Sequence, residues 1–234
     1  MRLEAQVFPD ADAAARAAAG FISRSARRAL ERQDRFLLAL SGGRTPGRMF
    51  NHLAAEDLPW PWVHLLQADE RAAPADSAER SLTNLQMNLL MQARHPQPQI
   101  HPMPVEMADL EAGARAYTRT LEQLGGSPPV LDMVHLGLGA DGHAASLVPG
   151  DPVLDVVDAD VGLTGLYNGR RRMTLTFPLI NRARSVLWLV TGAEKAEMLR
   201  RLCSGDTSMP AGRIDRARAV VFADQEAAGS GAMR

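Results

Sequence analysis

Short strands that are apolar along most of their length alternate with helices, and this feature most limits what the chain can fold into. The clearest runs are FLLAL at 36–40, VHLLQ at 63–67, LDMVHLGL at 131–138, SVLWLV at 185–190 and AVVFA at 219–223. A continuous apolar run is typical of a strand that is buried on both faces of a parallel sheet. The pattern therefore predicts an α/β fold with a mostly parallel, Rossmann-like sheet and helices on both of its faces.

The segments between these strands supply the helices that such a sheet needs. Apolar residues recur at helical spacing, and Thr45-Pro46 provides a cap and a first-turn proline. Helices are predicted over 10–33, from Thr45 to about Ala55, and over 80–93, 109–124 and about 193–202. One further strand, MTLTF, is predicted at 173–177.

Composition excludes several classes of protein. The 234 residues are 46% hydrophobic and carry a formal net charge of −1, which is unlike a disordered chain and gives no basic excess for nucleic acid. Cys203 is the single cysteine, so no internal disulfide is possible. No basic start precedes an apolar core at the N-terminus, and no apolar stretch is long enough for a membrane span. We therefore expect one cytoplasmic domain over residues 1–234 that binds neither nucleic acid nor membrane, as a monomer or a weak homodimer.

The loop after the first apolar strand is a candidate anion site. Ligands of parallel α/β sheets bind beyond the carboxyl ends of the strands. Here the loop reads Ser41-Gly42-Gly43-Arg44-Thr45, and its glycines would let the backbone approach a ligand at the N-terminus of the next helix. A phosphate or carboxylate suits that place, although a plain strand-to-helix turn has the same residues. The Gly-Lys-Ser/Thr ending of a Walker motif is absent.

A charged segment follows the second apolar strand. Asp69, Glu70 and Arg71 stand directly after VHLLQ, where they would orient a polar substrate or form a local ion pair at the rim of the sheet. The sequence alone leaves both interpretations open.

The loop after the third strand is the most informative. Residues 137–142 match G-x-G-x-x-G, but Pro149-Gly150 closes the segment before the long helix that a dinucleotide site requires. The glycines instead expose Asp141 and His143 on a tight turn. Histidine, whose ordinary pKa is about 6.5, can accept a proton near neutral pH, and a nearby aspartate fixes its tautomer. A capping aspartate beside a structural histidine is the alternative.

Other chemistries have weaker support. A metal site would need Asp69, Asp141, His135 and His143 to cluster, and their spacing does not favour it. No G-x-S-x-G elbow is present, and Cys203 has no evident histidine partner, so nucleophilic serine or cysteine hydrolysis is poorly supported.

Two cations complete the candidate residues. Lys195, the only lysine of the chain, is predicted in the first turn of a helix, where the helix dipole disfavours a cation unless an anion binds there. Arg172 ends a run of three arginines, of which we expect at most one to face inward.

Taken together, the order of these segments resembles the 6-phosphogluconolactonase family. The resemblance covers about residues 36–225, and DGHAASLVP, which contains the aspartate and histidine, is its most specific part. The related glucosamine-6-phosphate deaminases typically read DEY, where this chain has Arg71 at the third position. Departures from the family pattern are Ser81, Ala72-Ala73 and Val148.

The resemblance implies hydrolysis of 6-phospho-D-glucono-1,5-lactone, a sugar-phosphate lactone, without cofactor or metal. It implies that His143 is the general base, held by Asp141, and that Arg71 lies near the sugar or the developing oxyanion, as does Asp69. It also implies that the 6-phosphate binds to Lys195, Arg172 and the loop from Ser41 to Thr45. A deaminase or isomerase of hexosamine phosphates and a non-catalytic sugar-phosphate sensor are the alternatives.

Overall fold

Seven parallel strands form the main sheet of the protein. The structure is a computed structural model, and it describes residues 3–92 and 98–229. Their order across the sheet is β1-β10-β9-β6-β2-β3-β5. The smaller second sheet is antiparallel and has the order β4-β8-β7. The strands are β1 (Ala5–Phe8), β2 (Phe36–Leu40), β3 (Val63–Gln67), β4 (Asp69–Arg71), β5 (Gln99–His101), β6 (Met133–Leu136), β7 (Val161–Leu163), β8 (Arg172–Leu175), β9 (Val186–Val190) and β10 (Ala219–Asp224).

Helices connect the parallel strands and cover both faces of the main sheet. They are α1 (Ala11–Leu30), α2 (Arg44–Ala54), α3 (Ser81–Leu85), α4 (Leu110–Gly125), α5 (Phe177–Arg182), α6 (Ala196–Ser204) and α7 (Gln225–Ala228). One turn of π-helix over Gln86–Leu90 continues α3, and a 3₁₀ turn over Ala193–Lys195 leads into α6. No helix within the described ranges has the length and hydropathy that a membrane span needs.

The two faces of the sheet bury separate apolar clusters. On one face, α1 packs its alanine-rich side against α2 and the strands, and Asp10 caps its first turn through the N–H of Ala13 at 2.8 Å. On the other face, Tyr117 and Leu121 of α4 pack into a cluster shared with α5 and α6. Strands β2, β3 and β9 are buried at every position, as expected for a sheet covered on both sides.

The strand order reverses between β2 and β6, which are neighbours in the sheet. From β2 the chain proceeds outward to β3, whereas from β6 it proceeds in the opposite direction to β9. In open α/β sheets, such a switch point leaves a crevice at the carboxyl ends of the strands, where ligands bind. The loops that begin at Ser41 and Gly137 leave the sheet at this crevice.

The predicted α/β class is confirmed, and most predicted elements lie within a few residues of their places. The strand predicted as MTLTF is corrected: β8 ends at Leu175, pairs with β4 in the second sheet, and is followed by α5 from Phe177. The helix predicted over 80–93 is also corrected, because its α-helical part ends at Leu85. The three-residue strands β4, β5 and β7 were missed because they are too short to show a hydrophobic pattern.

Candidate active site

A cleft of about 240 Å³ opens at the carboxyl edge of the main sheet. Its walls come from the loops after β2, β6 and β9 and from the second sheet, and it adjoins a second hollow that shares Gly43, Arg71 and Arg172. Most of the predicted site residues line this cleft: Ser41, Gly42, Gly43, Thr45, Asp69, Arg71, His143, Arg172 and Lys195. Asp141 contacts one of them directly, since its carboxylate pairs with His143. Arg44 begins α2, but its side chain is outside the described part of the chain.

Asp141 and His143 form a close pair on the turn after β6. The Nδ1 atom of His143 lies 2.5 Å from Oδ1 of Asp141, which also accepts the backbone N–H of His143 at 3.2 Å. Burial alone would raise the pKa of Asp141, but the adjacent imidazole and the hydrogen bonds to the carboxylate lower it below its ordinary value. The carboxylate therefore stays ionised, which favours the proton on Nδ1 and leaves Nε2 as the acceptor.

Gly139 makes room for this pair. A Cβ atom at this position would lie 2.1 Å from Nδ1 of His143 and 2.6 Å from Oδ1 of Asp141, closer than any real contact. By contrast, a Cβ at Gly137 would meet no atom within 4 Å. The second glycine of the G-x-G pattern is thus required by the aspartate–histidine pair itself.

Tyr167 is a site residue that sequence reasoning missed. Its hydroxyl donates to Oδ2 of Asp141 at 3.1 Å, and its ring meets the His143 ring edge to face at a centroid distance of 5.8 Å. A tight turn through Asn168 and Gly169, both with positive φ, returns the chain to Arg170 and fixes the position of the tyrosine. This Asn-Gly pair was the one available sequence signal, and it indicates a hairpin without saying what the hairpin contacts.

Arg71 and Arg172 place two positive charges side by side. They are directly opposite each other in the antiparallel pair of β4 and β8. Burial and the charge of Arg71 both lower the pKa of Arg172, and the buried Nε of Arg172 has no hydrogen-bond partner within the described chain. Like charges in directly opposed positions destabilise a sheet, so an anion bound between them would relieve the repulsion.

Ser146 is a second site residue that the sequence did not reveal, and it connects Arg172 to the carboxylate of Asp69. The fully buried Ser146 hydroxyl donates to Oδ2 of Asp69 at 2.6 Å and accepts from Nη1 of Arg172 at 3.4 Å. The ring of Tyr167 lies 4.7 Å from Cζ of the same guanidinium. Arg172 is therefore held in place from two sides. Its neighbours in the sequence, Arg170 and Arg171, instead pair with Glu79 and Glu111 at the surface.

The loop after β2 closes the opposite wall of the cleft. A Cβ at Gly42 would lie 2.6 Å from the Ser81 hydroxyl, so only glycine allows α3 to approach this closely. The Thr45 hydroxyl is 2.9 Å from that of Thr191, which connects this loop to the one after β9. No side chain of the described part of the protein caps the N-terminus of α2, where the backbone N–H groups and the positive end of the helix dipole favour an anion.

Lys195 reaches the cleft from the loop after β9. It ends the 3₁₀ turn at the start of α6, and its ammonium group has no acidic partner among the described residues. Glu194 also lines the cleft, and its carboxylate lies over Gly192, whose N–H donates to Asp224 at 3.1 Å.

A buried carboxylate supports this arrangement from behind. Glu70 accepts the backbone N–H of Arg71 and of Ser81, both at 2.8 Å, and pairs with the buried Arg80 at 3.0 Å. It thereby joins β4 to the start of α3. Glu70 was identified in the sequence only as part of the charged segment, because nothing in the pattern separates a buried carboxylate from an exposed one.

The metal alternative finds no support in this geometry. His135 is fully buried within β6 and does not line the cleft. Over residues 3–92 and 98–229, no group of three or more His, Cys, Asp or Glu side chains is arranged to hold a metal ion.

A parallel α/β sheet with a cationic cleft beside an aspartate–histidine pair is typical of enzymes that act on small anionic substrates. Comparison with known proteins identifies the family. Residues 9–222 match the family described as glucosamine-6-phosphate isomerases/6-phosphogluconolactonase, and the chain belongs to it. It is similar to the 6-phosphogluconolactonase of Synechocystis, with 40% identity over 74% of this chain and 73% of that protein.

Solved structures agree with this assignment. The crystal structure of 6-phosphogluconolactonase from Thermotoga maritima superimposes with a TM-score of 0.83 and 27% identity, covering 96% of this chain and all of that one. A monomeric glucosamine-6-phosphate deaminase shares the fold, with a TM-score of 0.81 at 20% identity, covering 97% and 99% of the two chains.

Proposed function

We propose that this protein hydrolyses 6-phospho-D-glucono-1,5-lactone to 6-phosphogluconate, in the oxidative pentose phosphate pathway. The observation that carries the proposal is the meeting, at one cleft, of the Asp141–His143 pair with Arg71, Arg172 and Lys195. An imidazole beside a cationic wall suits a substrate with a phosphate at one end and an activated ester at the other. Membership of the family and the similarity to lactonases support the same substrate.

The phosphate is assigned to the cationic wall. Arg172 has an unpartnered Nε, and Lys195 lacks an acidic partner within the described ranges, so both are available to a dianion. The free N–H groups at the start of α2, beside Gly43 and Thr45, add further donors. Charge-assisted hydrogen bonds of this kind orient the sugar ring as well as bind it.

The hydrolysis then needs one base and one oxyanion stabiliser. Nε2 of His143 takes a proton from water while the oxygen of that water bonds to the lactone carbonyl carbon. The carbonyl oxygen becomes an oxyanion, which faces the guanidinium of Arg71. When the intermediate collapses, the bond to the ring oxygen breaks, and that oxygen receives the proton from His143. Asp141 stabilises the imidazolium between the two steps.

The test is a coupled assay with freshly prepared lactone, from which spontaneous hydrolysis is subtracted. His143→Ala should lose most turnover, by at least about 100-fold, since positioned general bases typically contribute that much. The matched control is His52→Ala, because His52 is a histidine of α2 that pairs with Asp12 outside the cleft. Normal turnover in His143→Ala would refute the proposed base, and ammonia release from glucosamine 6-phosphate would indicate deaminase chemistry instead.

We further propose that one chain suffices for activity and that the protein acts in the cytoplasm as a monomer or a weak homodimer. In support, the cleft of one chain already holds the proposed base and the cations for the phosphate, so the proposed reaction requires no residue from a second chain. If turnover per chain falls when the protein is diluted below the dimer dissociation constant measured by sedimentation, a single chain does not suffice.

A further inference from the structure

A groove of about 690 Å³ runs along the edge of the main sheet that is opposite to the candidate active site. One wall is the carboxyl-terminal half of α1. The other is formed where β2, β6 and β9 begin, at Phe36, Met133 and Ser185. None of the residues assigned above to lactone hydrolysis lines this groove.

Three arginines form a row along the groove: Arg24 and Arg28 in α1, and Arg32 in the turn just after its end at Leu30. They are spaced four residues apart in the sequence, a spacing that spans about 12 Å at the rise of a helix. All three are exposed, and no ion pair or hydrogen bond of their guanidinium groups occurs within the described ranges. Like charges at this spacing destabilise a helix, so the row is unfavourable unless an anion is bound.

Other arginines of the same helix have acidic partners. Arg16 pairs with Asp12 at 3.1 Å, and Arg27 pairs with Asp57 at 3.1 Å, on surfaces away from the groove. The helix dipole favours a cation in the last turn and so accounts for Arg28, but it has little effect on Arg24, two turns from the end of the helix. Arg24, Arg28 and Arg32 differ from these two arginines because no carboxylate among the described residues pairs with them.

The remaining charges of the groove neutralise each other. Asp132 accepts the N–H of Leu37 at 2.8 Å and pairs with Arg184 at 3.3 Å. The row of three arginines therefore leaves a net charge of about +3. The floor beside it is apolar, with Phe36 and Met133 buried beneath and Phe21 half-buried at one end.

We propose that this groove binds a nucleoside polyphosphate, with the phosphate chain along the three arginines and the base over the apolar floor. Guanidinium groups bind phosphate oxygens in bidentate fashion, and a row of about 12 Å matches a chain of phosphates better than a single one. The volume lies in the usual range for small-molecule sites. Only 12 residues line the groove, whereas stable protein interfaces use roughly 20–30 residues on each side, so an acidic protein partner is disfavoured.

The test is isothermal titration of ATP, ADP, AMP and inorganic tripolyphosphate into the full chain at constant salt. We expect saturable binding of ATP that is tighter than binding of AMP or of tripolyphosphate. The double variant Arg28→Ala/Arg32→Ala should weaken ATP binding by at least about tenfold, as expected for the loss of charge-assisted hydrogen bonds. If that variant does not fold, Arg28→Gln/Arg32→Gln tests the same point with less change in side-chain volume.

Two control variants identify where the ligand binds. Arg16→Ala removes an arginine of the same helix outside the groove and should leave ATP affinity unchanged. Lys195→Ala alters the catalytic cleft and should also leave ATP affinity unchanged. Any one of four results would overturn the proposal. These are no saturable binding of ATP, equal affinity for ATP and tripolyphosphate, binding of a polyglutamate peptide in place of ATP, and loss of ATP binding in Lys195→Ala. Because the groove variants keep the catalytic cleft, their lactone turnover should be normal, which separates this proposal from the proposed function.

Discussion

The hydroxyl of Tyr167 lies 3.1 Å from Oδ2 of Asp141, on the carboxylate whose other oxygen holds His143 at 2.5 Å. The ring of the same tyrosine contacts the guanidinium of Arg172. One side chain therefore touches both the proton-transfer pair and the anion-binding wall. The hydroxyl and the ring act on different parts of the reaction, so two substitutions separate their effects.

Tyr167→Phe removes the hydroxyl and keeps the ring. The hydrogen bond from Tyr167 helps to lower the pKa of Asp141. Without this donor, the carboxyl group of Asp141 keeps its proton to a higher pH, so the acidic limb of the pH profile of kcat/KM should move to higher pH. We expect kcat to fall by about 10–100-fold, the value of one hydrogen bond to a charged group, with KM little changed. A pH profile that coincides with that of the wild type would show that the hydrogen bond has no part in positioning the base.

Tyr167→Leu removes the ring as well. Arg172 then loses its aromatic neighbour and becomes less ordered, so KM should rise in addition to the change in kcat. Steady-state kinetics of the two variants side by side provide the measurement. If Tyr167→Phe raises KM as much as Tyr167→Leu does, the ring does not order the arginine.

Gly139→Ala tests whether the aspartate–histidine pair needs its present geometry. The new methyl group would overlap the positions of Nδ1 of His143 and Oδ1 of Asp141, so the pair must separate. Turnover should fall by about 100-fold or more, as in the loss of a general base, while thermal unfolding remains cooperative. Gly137→Ala is the matched control two residues away, because its Cβ meets open space, and it should keep most activity. Equal losses in both variants would point to a general disturbance of the loop.

Lys195→Ala removes a cation assigned to the 6-phosphate. Because this contact is made in the bound substrate and in the transition state alike, KM should rise by about 10–100-fold with kcat within a few fold. Inhibition by inorganic phosphate should weaken in parallel. A variant that loses kcat at unchanged KM would place Lys195 at the reacting carbon instead of the phosphate.

The sequence predicted those parts of the fold that bury long apolar runs. Strands β2 and β3 have the bounds that were expected, because a strand buried on both faces must be apolar along most of its length. The strand β5, with only three residues, has too few positions to show a pattern. Pro98 and Pro102 flank it, so the surrounding sequence does not indicate a strand either.

The candidate site was predictable where the chemistry resides in a compact motif. Asp141 and His143 are two residues apart, so their pairing follows from local geometry. Tyr167 meets Asp141 across 26 residues of chain, and no local pattern records that contact. Which arginine of the run faces inward depends on contacts with distant residues. Only Arg172, the first residue of β8, is buried, whereas Arg170 and Arg171 precede the strand and pair with Glu79 and Glu111.

His135 lies in the middle of β6, between Leu40 of β2 and Leu187 of β9, and is fully buried. Neither ring nitrogen has a hydrogen-bond partner within the described residues. Burial lowers the pKa of His135 from its ordinary 6.5 to about 3. The native protein therefore keeps this imidazole neutral at pH values where the unfolded chain would protonate it.

His135→Leu should reduce the acid sensitivity of the fold. Since the folded pKa lies below the unfolded one, the contribution of His135 to stability is complete above pH 6.5 and decreases as the pH falls toward 3. Each pH unit in this interval lowers the free energy of unfolding by about 1.4 kcal/mol, so the wild type should lose about 2 kcal/mol more than the variant between pH 7 and pH 5. Urea unfolding at the two pH values gives the comparison. The comparison variant is His52→Leu, at a partly exposed histidine outside the core, and it should retain the wild-type loss. Equal losses in wild type and His135→Leu would mean that the buried imidazole is protonated without unfolding.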